Sequence, residues 1–354
     1  MASWPCRQSL HHHTEGRRFP TGLSAIAGEQ FFGTLCDRIC WRLVSVCPYC
    51  PHKHCLIIPL QLVINNAASR LDTADTDMWR SAGLHISEDG YILPSNDTSN
   101  HEPMHDDMIS NAMIWLVMKI VNFLTAYNDL SSEPSLLPVD DRQQSLLDYW
   151  NALSLELDTW HSGLPDSFRP ISTTWPDKNQ QRPPSTSPNS SSNASIPKKW
   201  FARPMCASTM QWYHFARILL LHHRPYSSPT TRSHPSDSTD NDNNNDPYPS
   251  PASITRETRH HALEIISIGL AQTDDGVRVH SVQALYGAGQ ALAASADDDD
   301  NDDDEDGSGG NALMAKRLAV VRLLRDVGRD TGWETAYRVR QLLELWRLPA
   351  DWGA

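Results

Sequence analysis

The densest group of side chains that could bind a metal lies at residues 36–55, in the run CDRICWRLVSVCPYCPHKHC. Cys47 and Cys50 form a C-x2-C pair, a spacing that can place two thiolates on one zinc ion, and His52 and Cys55 could complete a tetrahedral set. A single pair of this kind also occurs in cysteine-rich segments that bind no metal. Two interpretations therefore stand: a structural zinc ion on these four residues, and a reduced cysteine cluster without metal.

Other signs of catalysis are missing from the sequence. It contains no serine-nucleophile elbow, zinc-protease helix, phosphate-binding loop or dinucleotide fingerprint. The GAG run at 287–289 lies within a helical pattern that no strand precedes, so we predict close helix packing there and not phosphate binding. His214 is eight residues before His222, too far for a ligand pair on one helical turn. We interpret these histidines, together with those at 222–223 and 260–261, as helix-end or buried side chains.

The charge distribution argues against direct binding of nucleic acid. The formal net charge is -13, but Asp297–Asp306 supplies nine acidic residues, so the rest of the chain carries only -4. A nucleic-acid-binding surface needs clustered lysine and arginine, and only scattered basic pairs occur. We expect the acidic run to be a solvated loop, or an interaction tract for basic partners.

Cysteine usage and hydropathy point to an intracellular, water-soluble protein. Seven cysteines without a secretory signal peptide favour reduced thiols. The longest apolar stretch, Ile109–Leu124, is interrupted by Asn111, Lys119 and Asn122. It therefore predicts a buried helix and no membrane span.

Hydrophobic periodicity predicts an all-α fold of many helices. Within Asp141–His161 one apolar face recurs at intervals of four, three, four and three residues; it consists of Leu146, Trp150, Leu153, Leu157 and Trp160. Gly163 is the predicted C-cap of this helix. The preceding helix is predicted to take Asp106 or Asp107 as its N-cap, and Pro204 suits a first helical turn.

Low-complexity stretches divide the chain. Thr173–Pro197, Tyr226–Pro251 and Ser295–Asn311 carry too little apolar surface to offset their ordering entropy, so we expect disordered insertions. They fall within one predicted helical domain at residues 79–348. Residues 1–78 form a poorly specified N-terminal segment, and one hypothesis is that residues 32–67 are not genuine coding sequence.

Six blocks along residues 79–346 share a common pattern of apolar helix and short motif. In chain order they are Trp79–Asn96, Asp106–Leu124, Tyr149–Pro170, Met205–Pro225, Val277–Leu292 and Thr331–Trp346. The third block carries an LP-x-x-F-x-P signature, and the last begins TGW-x-TA-x-RV. Together the six blocks resemble the C-terminal regulatory region of fungal zinc-cluster transcription factors, the middle homology region.

The resemblance implies an all-helical regulatory domain that acts in the nucleus on RNA polymerase II genes and has no catalytic residues. Its partners would be the transcription machinery or a homologous factor, in a homo- or heterodimer, with no membrane involved. The family's zinc cluster needs six cysteines in two C-x2-C-x6-C halves. Residues 36–55 offer C-x3-C-x6-C-x2-C-x4-C, with five cysteines, so we expect no zinc cluster in this chain.

The leading hypothesis is a transcription regulator that works through protein contacts or by sensing a ligand. The alternatives are a cluster-less protein that dimerises with and titrates a full-length relative, and, less favoured, an all-helical enzyme. Helical cores can hold an apolar pocket between helices. Six aromatic residues could line such a pocket or be ordinary core residues: Trp150, Trp160, Trp212, Tyr213, Tyr286 and Trp333.

Overall fold

A computed structural model describes residues 73, 76–96, 103–132, 139–175, 196–225, 250–293 and 308–353. Within these ranges eight α-helices occur: α1 (Thr76–Ser81), α2 (Asp106–Ser132), α3 (Val139–Ser162), α4 (Pro204–His222), α5 (Pro251–Gly269), α6 (Asp275–Ala291), α7 (Ser308–Thr331) and α8 (Ala336–Leu345). The all-α prediction is confirmed. A small antiparallel ribbon, β1 (Ser172–Thr174) with β2 (Lys198–Trp200), was not predicted, because three-residue strands are too short for alternation to show.

The long helix α2 is a core helix. Ile109, Trp115, Leu116, Ile120 and Phe123 are all fully buried. The stretch Asp106–Asn128 is long and apolar enough to cross a membrane, but 72% of its most apolar window is buried inside the protein. Packing against α3 and α4 accounts for that burial. The prediction of a buried helix is therefore confirmed.

Packing continues from α2 toward the C-terminus. Helix α4 contacts α2, α3, α5 and α6, while α7 and α8 pack on α6 and on each other. The predicted apolar face of α3 is buried at Leu153, Leu157 and Trp160, whereas Leu155 on the other side is 67% exposed. The Trp160 indole donates a hydrogen bond of 3.1 Å to the Ile109 carbonyl, which fixes α3 to α2.

One predicted cap is wrong, and the other is correct in position but not in backbone conformation. Helix α2 begins at Asp106, so this residue is in the first turn and not the N-cap. Its carboxylate instead accepts hydrogen bonds from Ser167 (2.8 Å) and Arg203 (2.7 Å). Gly163 directly follows Ser162, the last residue of α3, as predicted, but it does not have the positive φ that is usual for a C-cap glycine. A glycine is required there because a Cβ would lie 2.8 Å from the Ser95 backbone nitrogen.

Each of the three predicted insertions is shorter than expected, because a strand or helix extends into it at one end. Strand β1 includes Thr173 and Thr174, α5 begins at Pro251, and α7 begins at Ser308. At the other end, α1 begins at Thr76, three residues before the predicted domain start. The remainder of the insertions and nearly all of the N-terminal segment lie outside the described residues, so their predicted disorder stays a prediction.

The GAG run of α6 permits close helix packing, as predicted. A Cβ on Gly287 would lie 2.4 Å from the Phe215 ring of α4, and one on Gly289 would lie 2.7 Å from Leu342 of α8. Phe215 and Leu342 are themselves buried. Because glycine has only a hydrogen atom in place of a Cβ, these two positions let α6 pack closely against both α4 and α8.

We expect Gly287→Val to lower the free energy of unfolding by about 1–3 kcal/mol, because the added atoms would overpack the Phe215 contact. Urea denaturation measures this change. Gly332→Ala provides a control for glycine loss without a clash, since a Cβ there would meet nothing within 4 Å; its φ of 73° still adds backbone strain. Wild-type stability in Gly287→Val would contradict the packing assignment.

Candidate functional site

A cleft of about 620 Å³ lies at the C-terminal end of α7. We call it the α7–α8 cleft. Sites for small molecules commonly have volumes of about 300–1,000 Å³. The residues that line it come from α7, the connection to α8, α8 itself and the segment after it: Arg325, Gly328, Arg329, Gly332, Trp333, Glu334, Thr335, Ala336, Val339, Arg340, Leu343, Glu344, Leu348 and Ala350.

Several contacts hold the connection between α7 and α8 in place. The Thr335 hydroxyl donates a hydrogen bond of 2.8 Å to the Leu324 carbonyl. A Cβ on Gly328 would lie 2.6 Å from that hydroxyl oxygen, so α7 and the connection are in close contact. Gly332 has a φ of 73°, the left-handed conformation that ends many helices. The cleft therefore has an ordered wall.

Three arginines of the cleft differ in how they are paired. Arg329 is exposed and forms ion pairs of 2.8 Å with Asp326 and 2.9 Å with Asp330. The Arg325 guanidinium has a buried Nη1 without a hydrogen-bond partner. Arg340 is exposed, and no acidic group among the described residues pairs with it. The guanidinium group of Arg340 is therefore exposed in the cleft, whereas Arg325 Nη1 is closed off from solvent.

The two acidic residues of the cleft also differ. Glu334 accepts a hydrogen bond of 2.9 Å from the Ala336 backbone N–H, at the first turn of α8. This position lets its charge interact favourably with the helix dipole. Glu344 is exposed near the other end of α8. The lining therefore contains three positive and two negative side chains, and the ion pairs of Arg329 with Asp326 and Asp330 leave it without a positive excess.

The structure does not bring the six predicted pocket aromatics together. Trp333 alone among them lines the α7–α8 cleft. Trp160 and Tyr213 stack with ring centroids 5.7 Å apart in the core between α3 and α4. The His161 ring also stacks on Tyr213, with ring centroids 4.6 Å apart.

The remaining three aromatics lie at separate places. Trp212 packs edge-on against Phe215 on its own helix. The Trp150 indole donates a hydrogen bond of 2.7 Å to the Leu220 carbonyl of α4. The Tyr286 ring lies 4.1 Å from the Arg338 guanidinium carbon, so α6 and α8 meet there. These contacts are typical of core aromatics.

Sequence reasoning missed a pair of facing histidines. His214 of α4 and His261 of α5 are both buried, and their Nδ1 atoms lie 2.9 Å apart. One Nδ1 must carry a hydrogen and the other must accept it, so the rings are complementary tautomers. The sequence indicated helix-end or buried histidines on both helices, but it contained no signal that they face each other.

The surroundings of this pair keep both rings neutral. Burial is the main cause that lowers the pKa of His214 well below its usual 6.5, and the neighbouring histidines lower it further. Burial, followed by the nearby Arg217, lowers the pKa of His261 to about 3. Glu257 and Glu264 lie 3.8 Å from His261 Nε2 and 4.0 Å from His214 Nε2, respectively. The pair is therefore an uncharged link between α4 and α5 at neutral pH.

The metal prediction falls outside the described part of the chain. Cys47, Cys50, His52 and Cys55 are not among the described residues, so the proposed zinc site stays a prediction. Among the residues that are described, no group of three or more histidine, cysteine, aspartate or glutamate side chains could hold a metal ion. Cys206 is a buried free thiol, and burial raises its pKa to about 11.

Comparison with known proteins gives a functional direction. The chain is 33% identical over 303 residues to the transcription activator AMTR1 of Alternaria alternata. It is similar to a fungal transcription activator. The alignment covers 81% of this chain and 34% of that protein, so the chain spans about a third of the length of its relative. No protein-family model and no solved structure matches the chain.

Proposed function

We propose that this chain regulates transcription in the nucleus, as the helical regulatory domain of a fungal zinc-cluster transcription factor would. One observation carries the proposal: the similarity to a transcription activator extends over 81% of the chain. The resemblance of the six helical blocks to the regulatory region of that family also supports the proposal. In this proposal the chain is not an enzyme, and its effect is exerted on genes transcribed by RNA polymerase II.

We propose further that DNA contact comes from a separate zinc-cluster module or from a partner. The support is electrostatic: outside the acidic run the chain carries a charge of only -4 and lacks a basic cluster. The partner would be a homologous factor in a dimer, or the transcription machinery. The chain would then regulate the transcriptional activity of a DNA-bound complex. It would do so through protein contacts or by binding a small ligand.

The test is a reporter assay with this chain of 354 residues. The chain is fused to a heterologous DNA-binding domain in a yeast that carries the matching promoter. We expect reporter transcription to differ from that given by the DNA-binding domain alone, upward for an activator and downward for a repressor. Equal transcription from a fusion that is present in the nucleus at equal level would overturn the proposal.

A further inference from the structure

We propose that this chain forms a homodimer in which the outer edge of strand β1 pairs, antiparallel, with the same edge of a second copy. We call residues 171–175 the β1 edge. The effect of such a dimer on transcription rests on the function proposed above, but the pairing itself does not. Three features point to a second copy: an open strand edge, exposed apolar side chains on it, and a spacing that makes the edge complementary to itself.

The β1 edge is open on the side away from β2. Within the part of the chain that the structure describes, β2 is the only strand that pairs with β1. The Ile171 N–H donates a hydrogen bond of 2.8 Å to the Trp200 carbonyl of β2. Because the backbone groups of successive residues point alternately to the two sides of a strand, those of Ser172 and Thr174 point away from β2. Unpaired backbone groups of this kind are a template for another strand.

Apolar side chains are exposed along the same edge. Ile171 is 68% exposed and Trp175 is 65% exposed. Trp200 of β2 is 38% exposed, and its indole donates a hydrogen bond of 3.4 Å to the Thr174 hydroxyl. Three of the seven large apolar side chains that are exposed among the described residues therefore lie on this small ribbon. Contiguous exposed apolar surface marks an interaction site, and tryptophan is enriched at such sites.

The spacing of these residues makes the β1 edge complementary to itself. A two-fold axis at Thr173 places Ser172 opposite Thr174 of the second copy, where their outward backbone groups exchange hydrogen bonds. It also places Ile171 opposite Trp175 of the second copy. That pair is then one of those without backbone hydrogen bonds, in which opposite side chains are closest. Aromatic and β-branched side chains stabilise a sheet when they are opposite each other, and the two-fold axis forms this pair twice.

The residues around the edge favour this register and do not oppose it. Pro170 and Pro176 stand three residues before and three residues after Thr173 in the sequence. Proline has no N–H to donate to a neighbouring strand, so pairing is confined to the β1 edge and centred on Thr173. The β1 edge carries no charged residue. Charged side chains are a common means by which proteins prevent pairing of strand edges, and two copies of this edge meet without like-charge repulsion.

The size of the exposed surface sets the strength of the dimer. An aromatic side chain can bury about 150–250 Å². The exposed parts of Ile171, Trp175 and Trp200 in two copies, with the backbone between them, amount to a total on the order of 1,000 Å². Stable interfaces commonly bury about 1,200–2,000 Å². We therefore expect a reversible dimer with a dissociation constant on the order of 10 µM.

Sedimentation velocity of the purified full chain under reducing conditions tests the proposal. Between about 1 and 200 µM we expect the chain to shift from monomer to dimer. Trp175→Gln should weaken the dimer at least about tenfold, because both copies lose a buried indole. Leu155→Gln is the matched control, since Leu155 is 67% exposed on α3 and is not part of the ribbon. It should leave the dissociation constant unchanged.

Backbone pairing at the edge is tested with a proline. Ser172→Pro removes an N–H that points away from β2, and proline is tolerated at such a position of an edge strand. The variant should keep the ribbon but weaken the dimer at least about tenfold, because the proline ring occupies the side on which the second copy pairs.

A cross-link tests the register. In the proposed dimer the two copies of residue 173 are opposite each other, with Cα atoms about 4.5 Å apart, which is within the range of a disulfide. Under air oxidation, Thr173→Cys should form a disulfide between the residues 173 of two chains, identified by mass spectrometry of the peptides. Ser172→Cys is the control, because residue 172 lies opposite residue 174 of the second copy and not opposite itself.

Circular dichroism of each variant shows whether the helices are intact. A wild-type chain that stays monomeric over the whole concentration range would overturn the proposal. So would a dimer that is equally tight in Trp175→Gln and Leu155→Gln, or cross-linking that is as efficient in Ser172→Cys as in Thr173→Cys. None of these outcomes depends on the reporter assay, so failure of the dimer and failure of the proposed function are distinguishable.

Discussion

Lys119→Met should lower the free energy of unfolding by about 3–5 kcal/mol, the usual cost of leaving one partner of a buried ion pair without the other. Lys119 Nζ lies 2.7 Å and 2.6 Å from the two carboxylate oxygens of Glu156. The Glu156 side chain is only 3% exposed. Methionine matches the length of lysine but cannot neutralise that carboxylate. Urea denaturation of both proteins measures the loss.

A double variant separates the lost charge from the lost packing. Lys119→Met/Glu156→Gln removes both charges and keeps an acceptor for the Ile92 backbone N–H, which now bonds to Glu156 over 3.0 Å. We expect it to regain most of the stability. Arg169→Met is the control, because its ion pair with Asp166 is 74% and 95% exposed, and it should cost less than about 1 kcal/mol. Equal losses in the single and double variants would contradict the charge-based explanation.

Acidification from pH 7.5 to pH 5 is expected to lower the free energy of unfolding, by about 2 kcal/mol through His261 and by a further amount through His214. The pKa of each histidine is lowered in the folded state, that of His261 to about 3 from 6.5. Unfolded chains therefore bind protons below pH 6.5 that the folded protein does not. The stabilisation from the neutral rings is complete above about pH 7.5, falls as the pH drops through 6.5, and in the case of His261 is lost by about pH 3. Carboxylates add their own effect only at the lower end of this range.

The pH dependence of urea midpoints, recorded from pH 7.5 to 5, tests this prediction. His261→Gln should flatten the curve by about 2 kcal/mol over this range, since the ring whose pKa is lowered to about 3 is removed. His105→Gln is the matched control, because His105 is exposed and lies just before α2. A wild-type curve that stays flat down to pH 5 would contradict the neutral buried pair.

The sequence predicted much of the fold because local patterns carry the information that helices need. The intervals of Leu153, Leu157 and Trp160 specify one face of α3, and that face is buried. The same holds for the two glycines of the GAG run, which α6 needs for its contacts with Phe215 and Leu342. These features follow from helical periodicity and side-chain size alone.

Contacts between distant residues were not predictable from one sequence. Asp106 was expected to cap α2, yet it binds Arg203, which lies 97 residues away. His214 and His261 are 47 residues apart and meet only because α4 and α5 pack side by side. Six aromatics were interpreted as pocket-wall candidates or as core residues, and one of them, Trp333, lines the α7–α8 cleft. The position of an aromatic side chain in the fold depends on the angles at which helices cross. Residue type alone does not predict those angles.

The measurement that tests the central claim most directly is the reporter assay repeated with the Lys119 variants. If the folded helical core regulates transcription, Lys119→Met should reduce the reporter effect in proportion to its loss of folded protein. Lys119→Met/Glu156→Gln should then restore the effect along with stability. A reporter effect that is unchanged in the destabilised single variant, or absent in all three proteins at equal nuclear level, would contradict a regulatory role for this core.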